Sequence, residues 1–159
     1  MGKEGLRCTL AAEDGLLEEC LLTKQMQEAL GGTAHSAVST IYGSGRAYIA
    51  NLARVVLGAA EKGDETAIAV VRANADRLGL LIKTAVERYG KPAQTVVAGS
   101  FLKSDIFRTM VEEKAGVTLE LPELPPVYGA CVETLRREGI AIGPEFRQNF
   151  MESYRRFLC

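Results

Sequence analysis

The sequence predicts an α/β fold that is predominantly helical, and three observations lead there. Apolar residues recur at helical spacing along most of the 159-residue chain. Glycine-bearing breakers divide that pattern into about seven helical segments. Residues 93–98 and 117–121 are short, rich in β-branched side chains, and read as strands. Two strands make a poor sheet by themselves. The chain is therefore either a mostly helical domain or one that lacks its sheet partners.

The elements follow in order. Residues 3–12 form a short helix ended by Asp14-Gly15. Residues 21–30 carry Leu22, Met26, Ala29 and Leu30 on one face and stop at Gly31-Gly32, a C-cap signature. Residues 34–41 are a brief third helix before Gly43-Ser44-Gly45. That triplet resembles a phosphate-binding loop, but no strand precedes it and no P-loop lysine follows. Residues 46–60 are apolar at Ile49, Leu52, Ala53, Val56 and Ala60, one amphipathic helix. Lys62-Gly63-Asp64 then restarts the chain with Asp64 as N-cap.

The longest helix is expected over 65–89, where Ile68, Val71, Ala75, Leu78, Ile82 and Val86 trace one stripe. Gly79 inside it lowers helix propensity by about 1 kcal/mol relative to alanine, which implies close packing against another element. Gly90-Lys91-Pro92 stops it. After the 93–98 strand, Ser104 is the N-cap of a helix with Ile106, Phe107, Met110 and Val111 at helical spacing. The 117–121 strand leads into three prolines between 122 and 126, an extended connection. A helix over 127–137 closes at Gly139, and Gly143-Pro144 opens a last helix. There Phe146, Phe150, Tyr154 and Phe157 form an aromatic stripe that requires a burial partner.

Composition bounds the function. The net charge is −1, from 19 basic and 20 acidic residues, so no global field attracts nucleic acid or an anionic membrane. Arg136-Arg137 lies among acids and reads as a solvated face. Cys8, Cys20, Cys131 and Cys159 form no C-x-x-C pair, and a single histidine leaves zinc too few ligands. Separate thiols without a secretory leader or an apolar run long enough for a membrane span point to the cytoplasm. His35, beside no acid or cysteine in sequence, reads as a surface or capping residue, and Asp14 and Asp64 as turn and cap residues.

The segment 95–111 is the most informative, because a short apolar run passes through Gly99-Ser100 directly into a helix. Glycine permits a sharp turn and close backbone approach, and a helix N-terminus offers free amides. An ordinary strand–turn–helix joint has the same pattern.

Four pieces of the sequence, in order, resemble the C-terminal portion of the N-acetylglucosamine kinase and BadF/BadG/BcrA/BcrD-type ATPase family. Gly2-Lys3-Glu4-Gly5-Leu6-Arg7 is similar to the family's G-[RK]-E-x-L-R helix start. Arg46, Ile49-Ala50, Leu52-Ala53, Ala59-Ala60, Gly63-Asp64 and Ala67 match its Y-x-x-x-R-x-x-I-A-x-L-A and A-A-x-x-G-D-x-x-A pattern after Tyr42. Val96-Val97-Ala98-Gly99-Ser100 is similar to the strand and Gly-Gly turn that contacts the adenosine of ATP, with serine in place of the second glycine. Pro126-Val127-Tyr128-Gly129-Ala130 is similar to the P-x-x-G-A that begins the next helix.

The resemblance implies the C-terminal half of an actin-like ATPase, ribonuclease H-like lobe with a few parallel strands, residues 1–159 forming one nucleotide-side domain. It implies adenosine contacts from Gly99, Ser100, Phe101, Leu102, Gly129 and Ala130, with Lys103 a weaker candidate. ATP and Mg²⁺ serve the complete family enzyme. The D-x-G-x-[ST] phosphate hairpin and the acid that deprotonates the sugar do not occur in this sequence, and its one G-x-G, Gly43-Ser44-Gly45, follows no strand as the family's phosphate loop does. The chain by itself is thus expected to be inactive in phosphoryl transfer, with no catalytic and no metal-binding residue of its own, and to bind adenosine weakly at most. Its expected partners are the N-terminal lobe absent from this chain and a second copy of itself, with no nucleic acid or membrane. The alternative is a non-catalytic helical interaction module without nucleotide binding.

Overall fold

The computed structural model describes residues 1–90 and 94–158. Its helices are α1 (Gly2–Glu13), α2 (Leu21–Leu30), α3 (Val38–Gly43), α4 (Gly45–Asn51), α5 (Ala53–Glu61), α6 (Glu65–Tyr89), α7 (Asp105–Ala115), α8 (Pro126–Arg137) and α9 (Glu145–Leu158), with a 3₁₀ turn at Phe101–Lys103. The chain divides into two compact units, Met1–Thr95 with Gly99–Leu119, and Val96–Ala98 with Glu120–Cys159.

The core of the first unit is built where α1, α2, α5, α6 and α7 pack together. Leu22 and Met26 of α2, Val56 of α5, Val71 of α6 and Val111 of α7 are fully buried. Burying each such side chain favours folding by roughly 1.5–3 kcal/mol, which outweighs the weak intrinsic stability of short helices. Two glycines set the approach distances of α1. A Cβ at Gly2 would overlap the Ile49 carbonyl oxygen, and one at Gly5 would lie 2.5 Å from Val56 Cγ2. Gly31 ends α2 at φ 74°, the left-handed position where glycine carries no Cβ penalty.

Asp64 is buried and caps two helices. Its Oδ1 accepts the Ala67 amide at 2.7 Å in the first turn of α6, and its Oδ2 accepts the Leu22 amide at 2.9 Å in the first turn of α2. Burial pushes its carboxyl up, but these two amides, with the Cys20 thiol and the Leu21 amide, more than compensate, and the group lies below the usual aspartate range.

In the second unit Tyr128 of α8 packs against Phe146 and Phe150 of α9 at ring separations of 5.6 and 5.1 Å, and Phe150 stacks on Tyr154 at 5.7 Å. Phe146 and Phe150 of the aromatic stripe thus meet α8 and are half-buried, Tyr154 stacks within α9, and Phe157 is exposed. Pro126 occupies the first turn of α8, where a missing amide donor costs nothing.

Several expectations are corrected. The few parallel strands of an actin-like, ribonuclease H-like lobe are not present: among the described residues there is no sheet. The segments 93–98 and 117–121 yield one isolated parallel bridge, Val96 to Glu120, with the Val97 amide donating to the Glu120 carbonyl at 2.9 Å. Pairing stops there because neither segment has a second neighbour, Val96 remains exposed, and Pro122 follows two residues after the bridge. Ala93, like the Lys91-Pro92 helix stop and Cys159, lies outside the described residues. The third helix begins later than expected, at Val38, and the single helix expected over 46–60 is divided at Leu52. Ser104 is the N-cap residue of α7 as expected, but it makes no side-chain cap bond, its hydroxyl donating instead to Glu61 Oε1 at 2.7 Å. No helix among the described residues is long and apolar enough to cross a membrane.

Two predictions follow from this packing. A Cβ at Gly79 would lie 2.6 Å from Lys114 Cβ and 2.9 Å from the Val111 carbonyl oxygen, so α6 and α7 touch nearly backbone to backbone. Gly79→Ala therefore destabilises by about 1–3 kcal/mol in urea unfolding despite its gain in helix propensity; a neutral or stabilising result contradicts this contact. Asp64→Ala removes an N-cap and strands the Leu22 amide, costing about 2–4 kcal/mol. Because the folded carboxyl is depressed, its contribution is fully present above the unfolded aspartate pKa of about 3.9 and is lost as pH falls through the folded value. The urea midpoint of the parent chain should fall below about pH 4 more steeply than that of Asp64→Asn; parallel profiles would contradict the assignment.

Candidate functional site

The Gly99 turn belongs to the first unit and Gly129-Ala130 to the second. Gly99 has φ 150°, a conformation L side chains rarely adopt, and nothing but Leu102 Cδ1 at 3.9 Å lies near the position of a Cβ. The position demands glycine for its backbone, while the space beside it is open. Gly99 and Ser100 are exposed, and the chain tightens immediately into the Phe101–Lys103 turn. The Lys103 and Ser104 amides return to the Ser100 and Phe101 carbonyls.

Leu102 anchors this turn. Its side chain is buried at 7% exposure, and its carbonyl accepts from Arg108 Nη1 at 3.2 Å. Arg108 also pairs with Asp105, so the first turn of α7 holds the Gly99 turn from beneath. Phe101 is half-buried and Lys103 exposed. Of the first four site residues, three therefore present backbone or ring surface outward, and Leu102 contributes as a support.

Gly129 and Ala130 lie together in the first half of α8, both exposed, and a Cβ at Gly129 would meet nothing within 4 Å. A helix interior without a steric reason for glycine leaves a strip of bare backbone facing open space. Among the described residues no group of three or more carboxylate, thiol or imidazole side chains is gathered as a metal ligand set.

The structure also assembles groups that are far apart in sequence. His35 Nε2 lies 2.8 Å from Asp14 Oδ1, an exposed pair that the linear sequence conceals. Next to it Glu13 accepts the Gln27 side-chain amide at 3.0 Å and the Ala34 and His35 backbone amides at 2.7 and 3.2 Å. Burial pushes Glu13 up, and those three donors with the His35 ring bring it below the usual glutamate range. These acids fasten the 33–37 turn to the end of α1. Gly43-Ser44-Gly45 is the junction of α3 and α4, not a phosphate loop after a strand. Burial, then the negative potential of Cys20, Asp64 and Glu4, pushes the Cys8 thiol up and away from nucleophilic character.

One cavity was not read from the sequence. A groove of about 860 Å³ runs between α1 and the α3–α4 pair, lined on one side by Lys3, Leu6, Arg7 and Leu10. Val38, Ile41, Tyr42, Arg46 and Ile49 line the other. The spacing of these residues marks each helix as amphipathic, but which two stripes face one another is a tertiary fact.

No protein-family model and no curated protein matches the chain.

Proposed function

We propose that this chain supplies the adenosine-contacting portion of an ATP-dependent kinase or ATPase resembling N-acetylglucosamine kinase and the BadF/BadG/BcrA/BcrD-type ATPases. The observation that carries this reading is the Gly99 turn, a glycine at φ 150° with open space beside it, exposed and braced from below by Leu102 and Arg108. The bare backbone at Gly129 and the order of the four resembling segments support it further.

ATP, when bound, supplies the transferable phosphoryl group. This chain's residues do the earlier work of binding: Gly99 and Ser100 let a base approach the backbone, Phe101 offers a half-exposed ring, and Gly129-Ala130 leave room on α8. Phosphoryl transfer depends on positioning Mg²⁺, the phosphates and the acceptor. The motifs for those tasks are not in this sequence, so the isolated chain should not phosphorylate N-acetylglucosamine or glucose.

Adenosine and ATP should bind weakly and similarly. A site with a millimolar dissociation constant stabilises the fold by about 1 kcal/mol at several-millimolar ligand. Thermal melts should therefore rise with adenosine and ATP but not with N-acetylglucosamine, and Gly129→Val should remove the rise. No nucleotide-dependent shift, or one that Gly129→Val leaves intact, contradicts the proposal.

A second reading, a non-catalytic helical interaction module, is favoured by a different observation. Past Gly79 the α6 helix exposes Leu80, Leu81 and Tyr89 at 53%, 69% and 81%. Exposed apolar side chains around the end of a helix are sites of association with another chain or a second copy. Sedimentation of the chain with and without Leu81→Glu separates the readings: substitution-sensitive self-association without an adenosine shift supports the module, and a monomer with the shift supports the nucleotide site.

A further inference from the structure

The groove beside α1 is chemically segregated along its length. At its first turn α1 crosses α4, where Gly2 lies against the Ile49 carbonyl, and at its last residue Glu13 takes the Ala34 and His35 amides. Both ends of the 12-residue helix are thus tied to the 34–50 segment, and the groove of about 860 Å³ lies between the ties. At 1.5 Å per residue, α1 gives it a length of roughly 17 Å.

Cations gather at one end. Lys3 adjoins the Gly2–Ile49 crossing, Arg46 lies one turn before Ile49, and Arg7 follows Lys3 by one turn of α1. Among the described residues none of these three makes an ion pair, while the acid on the same lining, Glu4, is held by the Met1 amine at 2.8 Å and by Arg77 at 3.6 Å. Toward the Glu13 end the lining is Leu10, Ala34, Val38 and Ile41, with no charged side chain. The volume lies within the range of small-ligand sites.

The geometry points to a further binding site: this groove takes a linear amphipathic carboxylate, its alkyl chain along Leu6, Leu10, Val38 and Ile41 and its head group toward Lys3 and Arg46. A neutral lipid leaves the cations without a counter-charge, and a short organic anion leaves the apolar end empty. Each buried methylene should strengthen binding about fourfold.

The test is calorimetric titration of the full chain with monomeric dodecanoate, beside octanoate, dodecanol and dodecyltrimethylammonium. Dodecanoate should bind one to one and about two-hundredfold more tightly than octanoate. Dodecanol and the cationic amphiphile should bind at least about tenfold more weakly than dodecanoate, and Lys3→Ala or Arg46→Ala should weaken dodecanoate about tenfold with an unchanged melting temperature. Equal binding of the cationic amphiphile, uptake of several molecules per chain, or insensitivity to both substitutions would overturn the assignment. Capture on anionic vesicles without binding of monomeric dodecanoate would also overturn it and identify a membrane surface instead.

Discussion

The carboxylate of Asp64 holds two helix beginnings to one buried charge. It accepts from the first turn of α6 through Ala67 and from the first turn of α2 through Leu22, residues 42 positions apart from the acid in the second case. Each helix start presents amides without intrahelical partners and the positive end of a dipole, so a single negative charge satisfies both. With α2 and α6 fixed in this way, Leu22, Met26 and Val71 close the core, and α6 presents Gly79 to α7. The brace under the Gly99 turn, built from α7 through Arg108, is the last link of that chain.

The helical part of this arrangement was largely legible. The 21–30 and 65–89 helices are found as expected because their apolar periods are long or their ends are marked by glycine and an aspartate cap. Gly79 signalled close packing, and Lys114 and Val111 supply the neighbour. The strands failed for a physical reason: β-branched composition describes a residue that fits a pleated surface, but a sheet needs neighbours, and here pairing is confined to Val96 and Glu120. Leu52 shows the opposite limit, since an apolar period continues across it while the helix does not.

Sites were less legible than elements. Gly99 was singled out by its strand–turn–helix pattern as well as by resemblance and Gly129 by resemblance alone, and both present open backbone, one through a φ that L side chains rarely adopt and one through an empty surround. Leu102, grouped with them by sequence proximity, points into the core and acts as an anchor. The His35–Asp14 pair, the Ser104–Glu61 bond and the groove flanked by Lys3, Arg7 and Arg46 depend on long-range packing that no local pattern encodes.

The central claim, that glycine-opened backbone in this chain receives adenosine, is tested most directly residue by residue. Amide spectra of the isotopically labelled chain, recorded during titration with adenosine, report which backbone groups meet the ligand. The account predicts saturable shifts concentrated at Gly99, Ser100, Phe101, Gly129 and Ala130. Shifts absent from those amides at millimolar adenosine, or confined to α1, α3 and α4, would contradict it.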